Sequence, residues 1–146
     1  MRQFDTINIL DMLGAIGEAE LQKCLSDFSC PVNPEIEQFV VNNAIEFAKK
    51  KLSVTYFVVN EHGKIAAVFT LAHKAVEIGS ANLSNSKQKK ISRYAILDSE
   101  SDSYTVSAFL IAQFGKNYAV DGGKGINGNE LMDLTFEILE KVQHDI

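Results

Sequence analysis

The sequence contains little cysteine and little proline, and these scarcities narrow what the chain can be. Only Cys24 and Cys30 are available among its 146 residues. Two cysteines make no disulfide framework, and no second pair or nearby histidine gives them the spacing of metal ligands. We expect free or buried thiols and no metal site. The chain has only two prolines and nine glycines. It also shows no internal repeat and no low-complexity tract.

Long hydrophobic runs are absent as well. No apolar stretch approaches the roughly 20 residues that span a bilayer. The first residues, MRQFDTINIL, include the acidic Asp5 where a secretory signal has a basic start and an apolar core. We therefore predict a cytoplasmic protein with no membrane association.

Positive charge is scarce. The chain has 14 Lys and Arg residues against 19 Asp and Glu residues, a net charge of −5, which disfavours broad binding to nucleic acids or anionic membranes. One basic patch stands out, formed by Lys87, Lys89, Lys90 and Arg93 in a Ser/Asn-rich stretch. We interpret it as a solvated loop rather than a specific anion site.

What is present is an ordinary globular composition, with 46% apolar and 23% charged residues and a length that suits one domain over 1–146. Apolar residues at helical spacing predict a helix over 18–28 and another over 34–52. Asn33 and Pro34 have the character of an N-cap and a first helical residue. A last helix is predicted over 128–146.

Three segments have the composition of β-strands. Residues 53–60 and 64–78 are β-rich and separated by a short loop with glycine, which predicts a hairpin, and 104–114 predicts a third strand. The polar segment 79–103 is predicted to be a long exposed connection, in which Tyr94 to Leu97 can pack back onto the body of the domain. The expected fold class is α/β in the broad, α+β sense, with a mixed, mostly antiparallel sheet flanked by helices.

Between the last strand and the last helix lies VDGGKGINGNELM, which holds four of the nine glycines, Gly122, Gly123, Gly125 and Gly128. Backbone amides in such a loop at a helix N-terminus can bind a phosphate. The alternative is a surface turn whose glycines only permit the backbone path. Walker and dinucleotide-binding spacings are not met.

Three stretches resemble the GNAT superfamily of N-acetyltransferases: the hairpin SVTYFVVNEHGKIAAVFTLA, the strand FLIAQFGKN, and the loop and helix start GGKGINGNELMDL. The resemblance implies an acetyl-CoA cofactor whose pyrophosphate binds at the loop. It also implies that the pantetheine arm pairs with a bulged strand. The cofactor-binding residues it implies are Ile111, Gln113, Gly122, Gly123, Lys124, Gly125, Ile126, Asn127, Gly128 and Asn129.

The loop fits the family pattern in two registers. In one, Gly123, Lys124 and Gly125 match the family's Gly-x-Gly; in the other, Gly128 is the final glycine. Compared with the family, the chain lacks a C-terminal strand, helix and strand. The expected consequence is an incomplete domain with an unpaired sheet edge, as in a trimmed chain, a gene fragment, or a homodimer whose partner supplies the missing surface.

The implied activity is the transfer of an acetyl group from acetyl-CoA to an amine. The acceptor amine belongs to a small molecule, a protein or a charged tRNA. The alternative is a non-catalytic GNAT-like domain for CoA sensing or protein interaction. No catalytic residue is identified, because 104–114 carries no carboxylate. His62, His73 and His144 are scattered, and we favour a solvated or helix-dipole-related role over a metal site. Tyr56 and Tyr94 are candidates for an acceptor cleft, although packing is the favoured role of Tyr56.

Overall fold

The computed structural model describes residues 3–92 and 95–144. The chain forms two compact units, one made of Met1–Ala72 with Ile111–Ile146 and the other of His73–Leu110. The strands are β1 (Phe4–Asn8), β2 (Val54–Asn60), β3 (Ile65–Gly79), β4 (Ala95–Asp98) and β5 (Ser103–Lys116). The helices are α1 (Ile9–Ile16), α2 (Glu18–Ser26), α3 (Pro34–Asn42), α4 (Ala44–Lys49), α5 (Asn85–Ile91) and α6 (Gly128–His144).

In the first unit, β1, β2, β3 and β5 lie side by side in that order. The β1–β2 and β2–β3 pairs are antiparallel. Successive side chains of β2 point to opposite faces, so Phe57 packs with the helices α1 to α4 while Val58 packs with α6. The predicted mixed α/β class with an antiparallel sheet is confirmed. Among the described residues, no helix combines the length and apolar composition that a membrane span requires.

Two parts of the first unit differ from the sequence prediction. The segment before residue 18 forms β1 and α1, for which no element was predicted. The predicted helix over 34–52 is broken at Asn43, whose φ of −124° departs from helical geometry and separates α3 from α4. The start at Pro34 and the start of α2 at Glu18 are confirmed.

The predicted long connection over 79–103 is wrong. It contains a 3₁₀ turn at Ser80–Asn82, the helix α5 and the strand β4, which pairs antiparallel with the start of β5. Ser84 caps α5 by accepting a hydrogen bond from the amide of Lys87, with Oγ and N 3.3 Å apart. The lysines of the basic patch therefore lie on or beside a helix rather than a loop, and Arg93 lies outside the described residues.

A buried hydroxyl pair links β2 to β3. Thr55 and Thr70 face each other in the register, are fully buried, and place their Oγ atoms 2.9 Å apart. Removing one hydroxyl leaves the other buried without its partner, whereas replacing both removes the need for a partner. We expect Thr70→Val to cost about 2 kcal/mol of unfolding free energy, and Thr55→Val/Thr70→Val to cost clearly less than the two single changes added together.

Urea unfolding of the wild type, both single variants and the double variant measures this coupling. Strictly additive costs would contradict the inferred hydrogen bond.

Candidate functional site

The last six residues of β5, 111–116, have one open edge in the first unit. Pairing with β4 covers only Ser103 to Val106, and β5 otherwise neighbours β3. Within the described part of the chain, no strand pairs with the other edge of residues 111–116. That edge presents backbone N–H and C=O groups that an extended ligand can reach.

This segment also departs from regular strand alternation. Ile111 and Phe114 both pack against the apolar cluster on the α6 side of the sheet. Residues three apart in a regular strand point to opposite faces. A Cβ built on Gly115 would lie 3.0 Å from Cδ1 of Ile36, on the opposite side of the sheet. The packing is that of a strand with an extra residue between 111 and 114, as in a β-bulge.

Beside this edge lies a cleft of about 320 Å³, here named the β5–α6 cleft. Cys30 and Leu131 are buried in its wall, while Val32 is 73% exposed. Lys116 brings a positive charge, and no carboxylate or histidine is among the lining residues. The lining residues are Cys30, Val32, Asn33, Ile36, Phe114, Gly115, Lys116, Tyr118, Gly128 and Leu131.

The backbone conformation of the loop itself requires two of its glycines. Gly122 has φ of +62° and Gly123 has φ of +77°, in the left-handed region that disfavours side chains. A Cβ at Gly123 would also lie 2.8 Å from Cδ1 of Tyr118. These glycines permit a tight 3₁₀ turn and the close approach of an aromatic ring, as the turn interpretation expects.

The middle of the loop faces a different cleft. Gly123, Gly125 and Ile126 line a small cavity of about 100 Å³, together with Glu61 and Asp121. The Ile126 side chain is buried and packs in the α6-side cluster. Two carboxylates beside these residues disfavour a phosphate at this place.

The start of α6 is capped by its own side chains. The Asn127 Oδ1 accepts from the Glu130 amide at 2.8 Å, and Glu130 Oε1 accepts from the Asn127 amide at 3.1 Å, which is a reciprocal capping box. The amides of Gly128 and Asn129 have no acceptor within residues 3–92 and 95–144. A Cβ at Gly128 would meet no atom within 4 Å, so the fold itself does not require this glycine.

The structure therefore places the ten predicted cofactor-binding residues in different parts of the first unit. Of the ten residues, only Gly128 lines the β5–α6 cleft. Ile111 and Gln113 lie half-buried on the strand that leads to it, and Lys124 is exposed. The sequence analysis missed Lys116 and Tyr118. A lysine two residues after the predicted strand 104–114 was the available signal for Lys116.

The other candidates lie elsewhere. Tyr56 stacks on Phe69 with ring centroids 5.2 Å apart, and burial raises the pKa of its phenol, so the packing role is confirmed. Tyr94 and the side chain of His144 lie outside the described part of the structure. His62 is exposed beside Glu61, and His73 packs edge-on against Phe109. No group of three or more metal-ligating side chains occurs among the described residues.

Comparison with known proteins gives no family. No protein-family model matches the chain, and no curated protein matches it significantly. Function is therefore inferred from the β5–α6 cleft and the strand edge beside it.

Proposed function

We propose that this chain is an N-acetyltransferase that moves the acetyl group of acetyl-CoA to an amine, and that the cofactor binds in the β5–α6 cleft. One observation carries the proposal. The open, irregular edge of β5 over 111–116 runs directly into a cleft that combines Lys116 with uncommitted amides at the start of α6.

The donors in this region suit the two polar parts of the cofactor. Backbone groups of 111–116 can pair with the amides of the pantetheine arm as an added strand would. Lys116 and the amides of Gly128 and Asn129 can bind the pyrophosphate, since a helix N-terminus favours an anion. The Glu130 carboxylate in the capping box opposes this charge and reduces the expected affinity.

Acetyl-CoA supplies a thioester whose carbonyl carbon an amine attacks, releasing the CoA thiol. The residues of the chain contribute mainly by positioning: the β5 edge orients the cofactor, and the apolar wall at Ile36, Phe114 and Leu131 excludes water. We assign no general base, because the β5–α6 cleft is lined by no carboxylate and no histidine.

The test is calorimetric titration of the chain with acetyl-CoA and with CoA. We expect saturable binding that Lys116→Gln weakens about tenfold, because hydrogen bonds to charged groups contribute about 1.5 to 3 kcal/mol. Gly128→Val should also weaken binding, while open space at Gly128 should leave the helical circular-dichroism signal unchanged.

Lys124→Gln is the matched control. It removes the same charge from an exposed loop position that does not line the β5–α6 cleft, so the affinity should stay within about twofold. No binding by the folded wild type would contradict the proposal. If Lys124→Gln reduced the affinity more than Lys116→Gln, the pyrophosphate would have to be assigned to the glycine loop instead.

A second candidate is a non-catalytic CoA-binding domain, favoured by the lack of a general base in the β5–α6 cleft. Thiol release from acetyl-CoA in the presence of a panel of amines separates the two functions. An enzyme releases CoA with at least one amine, whereas a binding domain shows affinity without turnover.

A cytoplasmic location is part of the proposal, because both cysteines are free thiols, as in a reducing compartment. The homodimer and the choice between small-molecule, protein and tRNA acceptors stay predictions. Sedimentation analysis and the amine panel test them.

A further inference from the structure

The helix α3 begins at an asparagine that does not cap it. Asn33 is the N-cap residue, a position at which an asparagine side chain normally accepts a hydrogen bond from an amide of the first turn, yet it makes no such bond. The asparagines before α1 and α6 behave as expected. Asn8 Oδ1 accepts from the Leu10 amide at 2.8 Å, and Asn127 Oδ1 accepts from the Glu130 amide at 2.8 Å. The Asn33 carboxamide is therefore not committed to its own helix.

The first turn of α3 leaves this side chain little to cap. Pro34, the first helical residue, has no N–H. The Ile36 amide already donates to the main-chain carbonyl of Asn33 at 3.1 Å. Within residues 3–92 and 95–144, no other hydrogen bond uses the Asn33 carboxamide. Its two N–H donors are available to a ligand.

The segment that carries Asn33 is fixed to the residues that follow β5. The Tyr118 amide donates to the Ser29 carbonyl at 2.7 Å, and the Ser29 amide donates to Asn117 Oδ1 at 3.0 Å. A turn then follows, in which the Asn33 amide donates to the Cys30 carbonyl at 3.1 Å. Through these bonds Asn33 lines the β5–α6 cleft, the same cleft that the start of α6 lines.

Two helix starts thus meet at one cleft. The N-termini of α3 and α6 each carry a partial positive charge that favours an anion, and Lys116 adds a full charge. The two carboxylates in the first turn of α3, Glu35 and Glu37, are not among the lining residues. Glu37 Oε1 already accepts from the Cys30 amide at 2.8 Å. The cleft therefore suits a ligand with more than one anionic group.

We propose that Asn33 is a specificity-determining residue of the β5–α6 cleft, whose carboxamide donates to the second phosphate of a diphosphate ligand. The inference rests on the proposed acetyl-CoA site. A pantetheine arm along 111–116 brings the first phosphate to Lys116 and the start of α6, which leaves the adenosine-side phosphate for Asn33. The acyl donors so selected are diphosphate-linked thioesters such as those of CoA, in preference to thioesters of 4′-phosphopantetheine, which has a single phosphate.

The experiment is calorimetric titration of the full chain with CoA, dephospho-CoA and 4′-phosphopantetheine. We expect Asn33→Ala to weaken binding of CoA and dephospho-CoA about tenfold, the effect of losing a hydrogen bond to a charged group, and binding of 4′-phosphopantetheine less than twofold. Asn33→Asp should weaken CoA binding by more than about tenfold, because a carboxylate also repels the phosphate. Asn43→Ala is the matched control. Asn43 is likewise an N-cap residue without a side-chain cap bond, but it does not line the cleft, so the affinity should stay within about twofold.

Urea unfolding of the same variants separates ligand binding from a structural role. If Asn33 capped α3 in solution, Asn33→Ala would lower the unfolding midpoint and Asn33→Asp would keep it. That result with unchanged CoA affinity would overturn the inference. Equal weakening for CoA and 4′-phosphopantetheine would also overturn it. So would weakening confined to CoA, which would place Asn33 at the 3′-phosphate.

The failure of this inference is distinguishable from the failure of the proposed function. No CoA binding by the folded wild type contradicts the acetyl-CoA site, and the role of Asn33 falls with it. Tight CoA binding by the wild type and by both Asn33 variants contradicts the role of Asn33 alone.

Discussion

Replacing Gly123 by alanine is expected to destabilise the protein by about 3 kcal/mol, the sum of a left-handed backbone penalty of about 1 to 2 kcal/mol and a similar cost of overpacking. The φ of +77° causes the first part. The second arises because the new Cβ would lie 2.8 Å from the Tyr118 ring, which cannot move away as the tip of a flexible chain would. Urea unfolding measures the change as a shift in the midpoint with an unchanged slope.

Gly122→Ala is the matched control. Its φ of +62° carries the same backbone penalty, but nothing lies within 4 Å of the added Cβ. We expect a cost of about 1 kcal/mol. In a Tyr118→Ala background, Gly123→Ala should fall to the same value. Equal costs at the two glycines in the wild-type background would show that the contact with Tyr118 contributes nothing.

This pair of glycines also illustrates the limit of sequence reasoning at the site. The composition of the loop identified an unusual segment, and either a turn or a phosphate site could explain it. The distinction depends on backbone dihedrals and on the distance to Tyr118, which no local pattern encodes. At Gly128, by contrast, neither the backbone dihedrals nor a close contact requires a glycine, so the space beside it is available for a ligand.

The fold was predictable where local periodicity is strong. β2 and the apolar part of β3 follow from their β-rich, apolar runs, and α6 follows from apolar residues at helical spacing. β1 was missed because its five residues owe their conformation to pairing with β2, as in Phe4 opposite Asn60, rather than to a pattern of their own.

The helix α5 was missed for a related reason. Its residues Asn85–Ile91, NSKQKKI, have the polar composition of a loop. Its stability depends on the Ser84 cap and on the two hydrogen bonds from the Gln88 side chain to neighbouring carbonyls. Since such contacts become visible only in three dimensions, α5 was outside the reach of sequence analysis.

Asn117→Ala is expected to cost about 3 kcal/mol, because three hydrogen bonds to buried or half-buried backbone groups are lost at about 1 kcal/mol each. The Asn117 side chain is 5% exposed, so water cannot easily replace it. Its Nδ2 donates to the Ile65 carbonyl at 2.8 Å, and its Oδ1 accepts from the amides of Ser29 at 3.0 Å and Ala119 at 3.1 Å. One side chain thus joins three separate segments of the first unit.

Asn60→Ala provides the comparison. The Asn60 Oδ1 also accepts two backbone amides, from His62 at 2.9 Å and Lys64 at 3.0 Å, but these bonds are exposed and close only the β2–β3 turn. Water can replace them, so we expect a loss below about 1 kcal/mol. Urea unfolding of both variants decides the point. Because Asn117 lies between Lys116 and Tyr118, the proposed acetyl-CoA site predicts weaker cofactor binding by a folded Asn117→Ala variant. Similar costs at positions 117 and 60 would mean that the segment is held by its backbone bonds alone, such as Tyr118 N to the Ser29 carbonyl at 2.7 Å.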